Sequence, residues 1–309
     1  MDSLSSLTPV EVAELLKITK NTVYELIKRG ELPSYKVGKK IRVDTKDVEE
    51  YINSQKTGKV KDTHFNNKNI DINNNFKIII SGQDVILDIL ARSVEKKLDG
   101  ISTFRSYIGS YNALYELYNG RVSIASSHLW DFETDEYNST FVKKLLPGIP
   151  CVLINLAYRM QGFYVAKGNP KEITTWEDLT KPSITIVNRE KGSGTRVLLD
   201  GKLRLLNFNG KHIKGYDNEE LSHLGVASTV SRGIADVGLG NEKAALQVNN
   251  NDFIPLHKER YDLVIKKEDL QNPVYQTIIN IINSPEFKAE LQGLGGYDLT
   301  DTGKTIAKV

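Results

Sequence analysis

Hydrophobic residues recur along this chain with two different spacings, and the change of spacing divides the sequence into regions. Near the N-terminus they recur every three or four positions, as Val12, Leu15 and Leu16 do, which predicts an amphipathic helix. From Phe76 onward, short β-branched runs alternate with helical stretches, and this alternation predicts an α/β fold with largely parallel sheets. Between them, residues 55–75 are polar and rich in asparagine, so we expect a linker there.

Residues 1–54 predict a small helical unit with a hairpin. Thr8 opens a capping box with proline at the first helical position, and Thr19 can cap a second helix that ends at Gly30. The two helices are separated by only a few residues, which is the spacing of a helix-turn-helix. Alternating residues around Gly38 then predict a short hairpin or wing, followed by a last helix.

Basic residues are concentrated in one part of this unit. Residues 1–50 hold nine basic and nine acidic side chains, but from Lys17 to Arg42 there are eight basic residues against two acidic ones, Glu25 and Glu31. The positive charge therefore falls on the second helix and the wing, where a DNA backbone would lie.

The segment TPVEVAELLKITKNTVYELIKRGELPSYKVGKKIRV resembles the excisionase-like DNA-binding domain of the MerR-related winged helix-turn-helix group. The resemblance implies that part of the second helix faces a DNA groove and that basic residues of the wing contact phosphates. The groove-facing residues would be Lys20, Asn21, Thr22 and Tyr24, and the phosphate contacts would be Lys36, Lys39, Lys40 and Arg42. The alternative is a protein-binding helical module with a solvated basic face.

A strand, a Gly-rich loop and a helix follow one another from Ser183 to Leu206. The loop REKGSG separates the β-branched run SITIVN from a helix that Thr195 could cap. Such a junction leaves backbone N–H groups at the helix N-terminus without partners, and the helix dipole there favours negative charge. The pattern outlines an anion site, and its alternative is a capped helix after a tight turn.

Residues 76–309 resemble the periplasmic-binding-protein-like domain of the type II solute-binding superfamily. The resemblance is carried by SSHLWD, LPGIPCVLINLAYRMQGFYVAKGNP, WEDL, VNREKGSGTRVLLD, HLGVASTVSRGIADVGLG and ERYDLVI. It implies two lobes, the first formed by about 76–156 with 263–309 and the second by about 157–262. Ligands of such a fold bind between the lobes.

In that superfamily, molybdate and tungstate receptors hold a tetrahedral oxyanion with hydroxyls, backbone N–H groups and sometimes arginine. The matching donors in this chain are Ser81, Ser126, Ser127, Arg189, Ser193, Gly194, Thr195 and Arg196, with Ser110 a weaker candidate. Asp84 departs from the pattern, because a carboxylate beside a dianion is repulsive unless Arg189 or Arg196 neutralises it. It could instead cap the following helix or bind a cationic part of an organic ligand. His128 and His223 are candidate ligand contacts, although a structural role is commoner for such histidines.

Composition narrows the class of protein. The chain has 309 residues, 41 basic against 39 acidic, and the single Cys151 excludes a disulfide framework and a Cys-rich metal site. Its apolar runs are too short to cross a membrane, and its N-terminus lacks the basic region of a secretory signal. We therefore expect a cytoplasmic protein with no membrane partner.

Together these features predict a one-component transcriptional regulator with no catalytic residue, no metal site and no cofactor. We expect it to bind double-stranded DNA as a homodimer on a palindromic site, because one small helix-turn-helix makes few contacts. Its ligand would be a small anion, with a molybdate- or tungstate-type oxyanion the leading expectation. The alternatives are an enzyme or accessory protein of molybdenum-cofactor metabolism and a regulator that senses a small organic ligand. The sequence contains neither a G-x-S-x-G nor an H-E-x-x-H motif, so neither motif supports an enzyme.

Overall fold

A computed structural model describes residues 6–38, 40–55 and 76–309 of the chain. These residues form two compact units, one before and one after the predicted linker. Lys39 and residues 56–75, which include nearly all of that linker, lie outside the described residues. In the ranges that are described, no helix is long and apolar enough to cross a membrane.

The first unit consists of three helices and a small antiparallel sheet. The helices are α1 (Pro9–Leu16), α2 (Lys20–Lys28) and α3 (Thr45–Gln55), and the strands are β1 (Ser6–Leu7), β2 (Tyr35–Val37) and β3 (Lys40–Asp44). In the sheet β3 lies between β1 and β2, and β2 and β3 form the predicted hairpin.

Local capping explains where these helices begin. The Thr8 hydroxyl accepts from the backbone N–H of Glu11 at 3.3 Å, and the Glu11 carboxylate accepts from the backbone N–H of Thr8 at 2.6 Å. Thr19 accepts from the backbone N–H of Thr22 at 3.2 Å, and α2 is followed by Gly30 with a φ of +75°. The predicted helix starts and the glycine stop are confirmed. The helices pack around a core of Val12, Val23, Leu26, Leu32, Val43 and Val48.

The second unit is a larger α/β structure. Its helices are α4 (Val85–Lys97), α5 (Ser110–Tyr118), α6 (Ser139–Leu145), α7 (Gly194–Leu205), α8 (His223–Ser231), α9 (Glu242–Ala245), α10 (Pro273–Asn283) and α11 (Pro285–Leu294). Its strands are β4 (Phe76–Ser81), β5 (Ile101–Ser106), β6 (Ile124–Ser127), β7 (Trp130–Asp131), β8 (Glu136–Tyr137), β9 (Cys151–Ala166), β10 (Ile186–Arg189), β11 (Glu219–Glu220), β12 (Val237–Asn241), β13 (Asn251–Lys266) and β14 (Thr305–Lys308).

All of these strands except β7 and β8 form one mixed sheet. Its order is β11-β10-β12-β9-β13-β6-β4-β5, and β14 also pairs with β9. The 16-residue strands β9 and β13 are antiparallel to each other along their whole length, from Asn251 opposite Ala166 to Lys266 opposite Cys151. The expectation of largely parallel sheets is therefore wrong. Parallel pairs occur only toward the two ends of the sheet, while antiparallel pairs occupy its centre.

The described residues of the second unit form four clusters of buried hydrophobic residues, and the two largest define two halves of this unit. The first half includes Ile78, Leu90 and Ile278, and the second includes Phe163, Leu198 and Val237. Since β9 and β13 run through both halves, the chain crosses between the halves inside continuous strands. Trp130 and Tyr137 also pack in the second half, although they fall in the range predicted for the first lobe. The predicted lobe boundaries stay a prediction.

Candidate functional site

The beginnings of four helices meet at a small cavity between the two halves. The N-cap residues of α4, α5 and α7, which are Asp84, Gly109 and Ser193, line this cavity. His223, the first residue of α8, lines it as well. The first N–H groups of a helix have no acceptor inside the helix, and the helix dipole places partial positive charge there. The arrangement favours a small anion.

The two halves are closed on each other around this cavity. Only about 20 Å³ is open to the centres of water-sized molecules. The backbone N–H of Tyr111, in the first half, donates to the carbonyl of Gly192, in the second, at 3.0 Å. The backbone of Gly109 packs so closely that an added Cβ would lie 3.0 Å from the Cα of Ser193.

A buried chain of ionisable side chains lies beside the cavity. The Arg159 guanidinium contacts Asp84 at 2.5 Å, and its Nε donates to Oε1 of Glu259 at 2.7 Å. The other carboxylate oxygen of Glu259 lies 2.7 Å from Nδ1 of His128. Burial of Glu259 favours its neutral form, but Arg159 and His128 outweigh that effect and lower the pKa of Glu259 to about 2. These four side chains join both long strands to the first half of the unit.

Asp84 has three partners of its own. One carboxylate oxygen accepts from the backbone N–H of Ile86 at 2.9 Å and from the Tyr297 hydroxyl at 2.8 Å, and the other faces Arg159. The carboxylate therefore caps α4, one of the two roles left open from the sequence. Arg159 neutralises it, and the sequence analysis did not select that residue.

Arg189 connects the two halves at the other side of the cavity. Its guanidinium donates to both carboxylate oxygens of Glu190 at 2.8 Å and to the side-chain oxygen of Gln83 at 2.8 Å. Burial, the largest influence, lowers the pKa of Arg189 although Glu190 opposes the change. Gln83 in turn donates to the carbonyl of Leu221 at 3.2 Å.

Three of the eight predicted ligand-binding residues line the cavity: Ser126, Arg189 and Ser193. The weaker candidate Ser110 lines it as well. The Ser126 hydroxyl bonds with the Tyr261 hydroxyl at 2.7 Å, and the Ser193 hydroxyl accepts from the backbone N–H of Arg196 at 3.2 Å.

The other five lie behind the cavity wall. Ser81 donates to the carbonyl of Ile124 at 3.3 Å, Thr195 donates to Gln161 at 3.4 Å, and Ser127 is fully buried. Gly194 packs against His128, so an added Cβ would lie 2.5 Å from that ring. The Arg196 guanidinium donates to Asp200 at 3.2 Å and to the carbonyl of Arg189 at 3.2 Å, and it stacks on Tyr216. It holds α7 to its own half of the unit. Ligand contact by any of the eight stays a prediction.

One local prediction at the Gly-rich loop is wrong. The N-cap of α7 is Ser193 and not Thr195, because the helix begins at Gly194, one residue after the turn. Sequence reasoning also missed Arg159 and Glu259. The available signal was a lone arginine inside the apolar run of β9, where a buried charge needs a partner.

The predicted DNA-binding residues lie on the surface of the first unit. Val23 and Leu26 turn one side of α2 to the core, whereas Lys20, Asn21, Thr22 and Tyr24 are exposed. On the hairpin Lys36 and Lys40 are exposed, Arg42 is half-buried, and Lys39 lies outside the described residues. The Tyr35 hydroxyl donates to Asp44 at 2.8 Å and braces the hairpin. Their contact with DNA stays a prediction.

Comparison with known proteins identifies the class. Residues 91–283 match the family model described as the PBP superfamily domain, and residues 6–56 match that of a helix-turn-helix domain. The chain therefore belongs to the PBP superfamily-domain family and carries an N-terminal helix-turn-helix domain. This combination indicates a DNA-binding regulator with a ligand-binding domain, and a binding role more than catalysis.

Three similar proteins extend this assignment. The chain is 43% identical over 309 residues to Uncharacterized protein YvgK of Bacillus subtilis, and the aligned region covers 99% of each chain. A putative phosphate ABC transporter substrate-binding protein with bound phosphate from Clostridium perfringens superposes with a TM-score of 0.53 at 18% identity, over 72% of this chain and 98% of that one. The tungstate ABC transporter from Geobacter sulfurreducens superposes with a TM-score of 0.52 at 15% identity, over 70% of this chain and 98% of that one. At 18% and 15% identity, the likeness to these two structures shows the fold alone.

Proposed function

We propose that this protein is a cytoplasmic one-component transcriptional regulator that senses a small tetrahedral oxyanion. The anion would bind in the cavity between the halves of the second unit, and DNA would bind to the first unit. The observation that carries the ligand class is the convergence of four helix N-termini on one small buried cavity. Helix N-termini bind oxyanions through backbone N–H groups and the helix dipole.

The size of the cavity supports a compact ligand. If the 20 Å³ open to water centres is treated as a sphere, its radius is about 1.7 Å, and a water radius of about 1.4 Å brings the cavity radius to about 3 Å. That space supports one tetrahedral oxyanion over a larger organic acid. Molybdate and tungstate are our leading candidates, with phosphate and sulfate as alternatives. The phosphate and tungstate named for the two structural neighbours belong to the same chemical class.

Closure of the cavity would be the switch between two states. The contacts that join the halves, from Tyr111 to Gly192 and from Arg189 to Gln83, exist only while the halves are together. An anion that touches helix starts from both halves binds the closed form better than the open one, so it would shift the population toward closure.

The first unit supports the DNA half of the proposal. An exposed helix with Lys20, Asn21 and Tyr24, followed by a basic hairpin, fits an excisionase-like winged helix-turn-helix. We propose a homodimer on a palindromic site, because a single unit of this size makes few contacts with DNA.

A thermal-shift screen over molybdate, tungstate, sulfate, phosphate and small organic acids tests the ligand half. A ligand at 100 times its dissociation constant adds about 2.7 kcal/mol of apparent stability. Stabilisation by one or more oxyanions is the expected result, and stabilisation by organic acids alone would contradict the ligand class. Selection of DNA fragments from a random pool tests the other half, and failure to enrich any sequence would contradict the regulator.

A further inference from the structure

A ring nitrogen at the start of α8 is buried at the cavity. His223 is the first residue of α8, lines the cavity and is 8% exposed. Its Nδ1 is buried and makes no hydrogen bond within the described part of the chain. Buried polar atoms of side chains are normally hydrogen-bonded, so this nitrogen indicates a partner outside the chain, which is a ligand or a water molecule.

The surroundings of His223 keep its ring neutral. Burial, the largest influence, and the positive charges of Arg189 and Arg159 lower the pKa of His223 well below its usual value. A neutral imidazole carries one N–H, so one ring nitrogen donates and the other accepts. A fully ionised oxyanion offers only acceptors. It can therefore pair with Nδ1 only when Nδ1 carries the proton.

Two buried hydroxyls at neighbouring helix starts also line the cavity. Ser110 is the first residue of α5, and Ser193 is the N-cap of α7. Each hydroxyl oxygen accepts from a backbone N–H, Ser110 from that of His128 at 3.3 Å and Ser193 from that of Arg196 at 3.2 Å. Among the described residues neither hydroxyl donates to the protein, so its own proton is available to a ligand.

We propose that His223 donates from Nδ1 to the bound oxyanion, together with the hydroxyl of Ser110, and that the anion thereby fixes the Nδ1–H tautomer of the ring. This inference rests on the proposed function and adds two side-chain contacts to the helix N-termini. His223 belongs to the second half, because α8 packs on β10 and β12, whereas Ser110 belongs to the first, because α5 packs on β6. One anion held by both side chains would join the halves and favour the closed form.

Calorimetric titration of the full chain with tungstate and with sulfate tests the His223 contact. His223→Leu removes the donor and should weaken binding by about 10- to 100-fold, the scale of one hydrogen bond to a charged group. His223→Asn should keep most of the affinity, because the asparagine amide lies as far along the side chain as Nδ1. The exposed His212 provides the control, since His212→Leu should change nothing. Equal losses in His223→Leu and His223→Asn, or no loss in either, would overturn the contact.

The same titrations test the hydroxyl of Ser110. Ser110→Ala should weaken binding by a similar factor, because it removes the proposed donor from the start of α5. Ser139→Ala is the matched control, since Ser139 is likewise the first residue of a helix, α6, and lies outside the described lining of the cavity. The same affinity in both variants would remove Ser110 from the contacts.

Imidazole nitrogen NMR shifts of the wild type provide a test that does not depend on the folding of a variant. On saturation with tungstate or sulfate, Nδ1 of His223 should be protonated and Nε2 should not. A complex with the proton on Nε2 alone, or with both nitrogens protonated, would overturn this inference and leave the proposed function standing. Failure of tungstate, molybdate, sulfate and phosphate to bind the wild type would contradict the proposed function itself.

Discussion

The helix-turn-helix unit and the cavity of the second unit both offer donors to negatively charged ligands, but their cations are used differently. On α2 and the hairpin, Lys20, Lys36 and Lys40 are exposed to solvent. Around the cavity, Arg159 and Arg189 are buried and paired with carboxylates. Exposed cations act at long range and are screened by salt. The helix N-termini around the cavity act instead at short range and in one geometry. The first arrangement suits a polyanion such as DNA, and the second suits one small anion.

Removing exposed charge should have the largest effect. The double variant Lys36→Ala with Lys40→Ala should weaken DNA binding across all sequences and reduce the slope of log affinity against log salt by about two units. Lys46→Ala, also exposed but on α3, is the matched control. Anisotropy titrations between 50 and 200 mM salt, roughly the range in which such contacts are best resolved, would show it. An unchanged slope would remove the hairpin from the DNA interface.

A change at the loop should act on the small anion and leave DNA binding alone. We expect Ser193→Ala to cost about 1.5–3 kcal/mol of anion affinity, the scale of a hydrogen bond to a charged group. It also removes the cap of α7, which costs about 1 kcal/mol of stability. Ser284→Ala, which removes the equivalent cap of α11, separates the two effects. Equal anion affinity in both variants would exclude the Ser193 hydroxyl as a ligand contact.

The variant Gly109→Ala adds a Cβ between the halves and should weaken anion binding without removing a hydrogen-bond donor. Gly109 has a φ of −68°, which alanine adopts freely, yet the new Cβ would press on the backbone of Ser193. Overpacking of this kind costs about 1–3 kcal/mol in the closed form. Gly293→Ala, with open space around its Cβ, is the control. If calorimetry finds the same anion affinity in Gly109→Ala as in the wild type, closure is not required for binding.

The smallest effect is the dependence of stability on pH through His223. Its pKa is lowered in the folded protein, so its contribution to stability is complete above its usual pKa of 6.5 and is lost as pH falls below that value. One such group accounts for about 1.4 kcal/mol per pH unit. Urea unfolding of the second unit at pH 7.5 and 5.5 should show a smaller loss in His223→Gln than in the wild type. The same loss in both would mean that His223 takes a proton in the folded state.

The two units also differ in how far the sequence predicts them. In the first unit the deciding contacts are local, since Thr8 with Glu11 and Thr19 with Thr22 are three residues apart. Capping residues and hydrophobic spacing therefore predicted its helices and hairpin. The exposed residues Lys20, Asn21, Thr22 and Tyr24 of α2 were instead selected through the resemblance to excisionase-like domains.

In the second unit the deciding contacts are distant in sequence. The α/β class and the loop near Ser193 were predicted, but Arg159 meets Glu259 across 100 residues and Asp84 across 75. No local pattern reports such pairs, because each residue lies in or beside an otherwise apolar element. The antiparallel pairing of β9 and β13 was missed for the same reason. Strand alternation predicts elements, and register depends on contacts that spacing does not contain.

The central claim is that closure on an oxyanion changes DNA binding. The most direct test is the affinity of the wild type for its selected DNA sequence, measured by anisotropy as tungstate or another stabilising oxyanion is added. We predict a change of affinity whose midpoint matches the calorimetric dissociation constant and moves to higher concentration in Gly109→Ala. A DNA affinity that stays constant while calorimetry shows the cavity to be saturated would contradict the account.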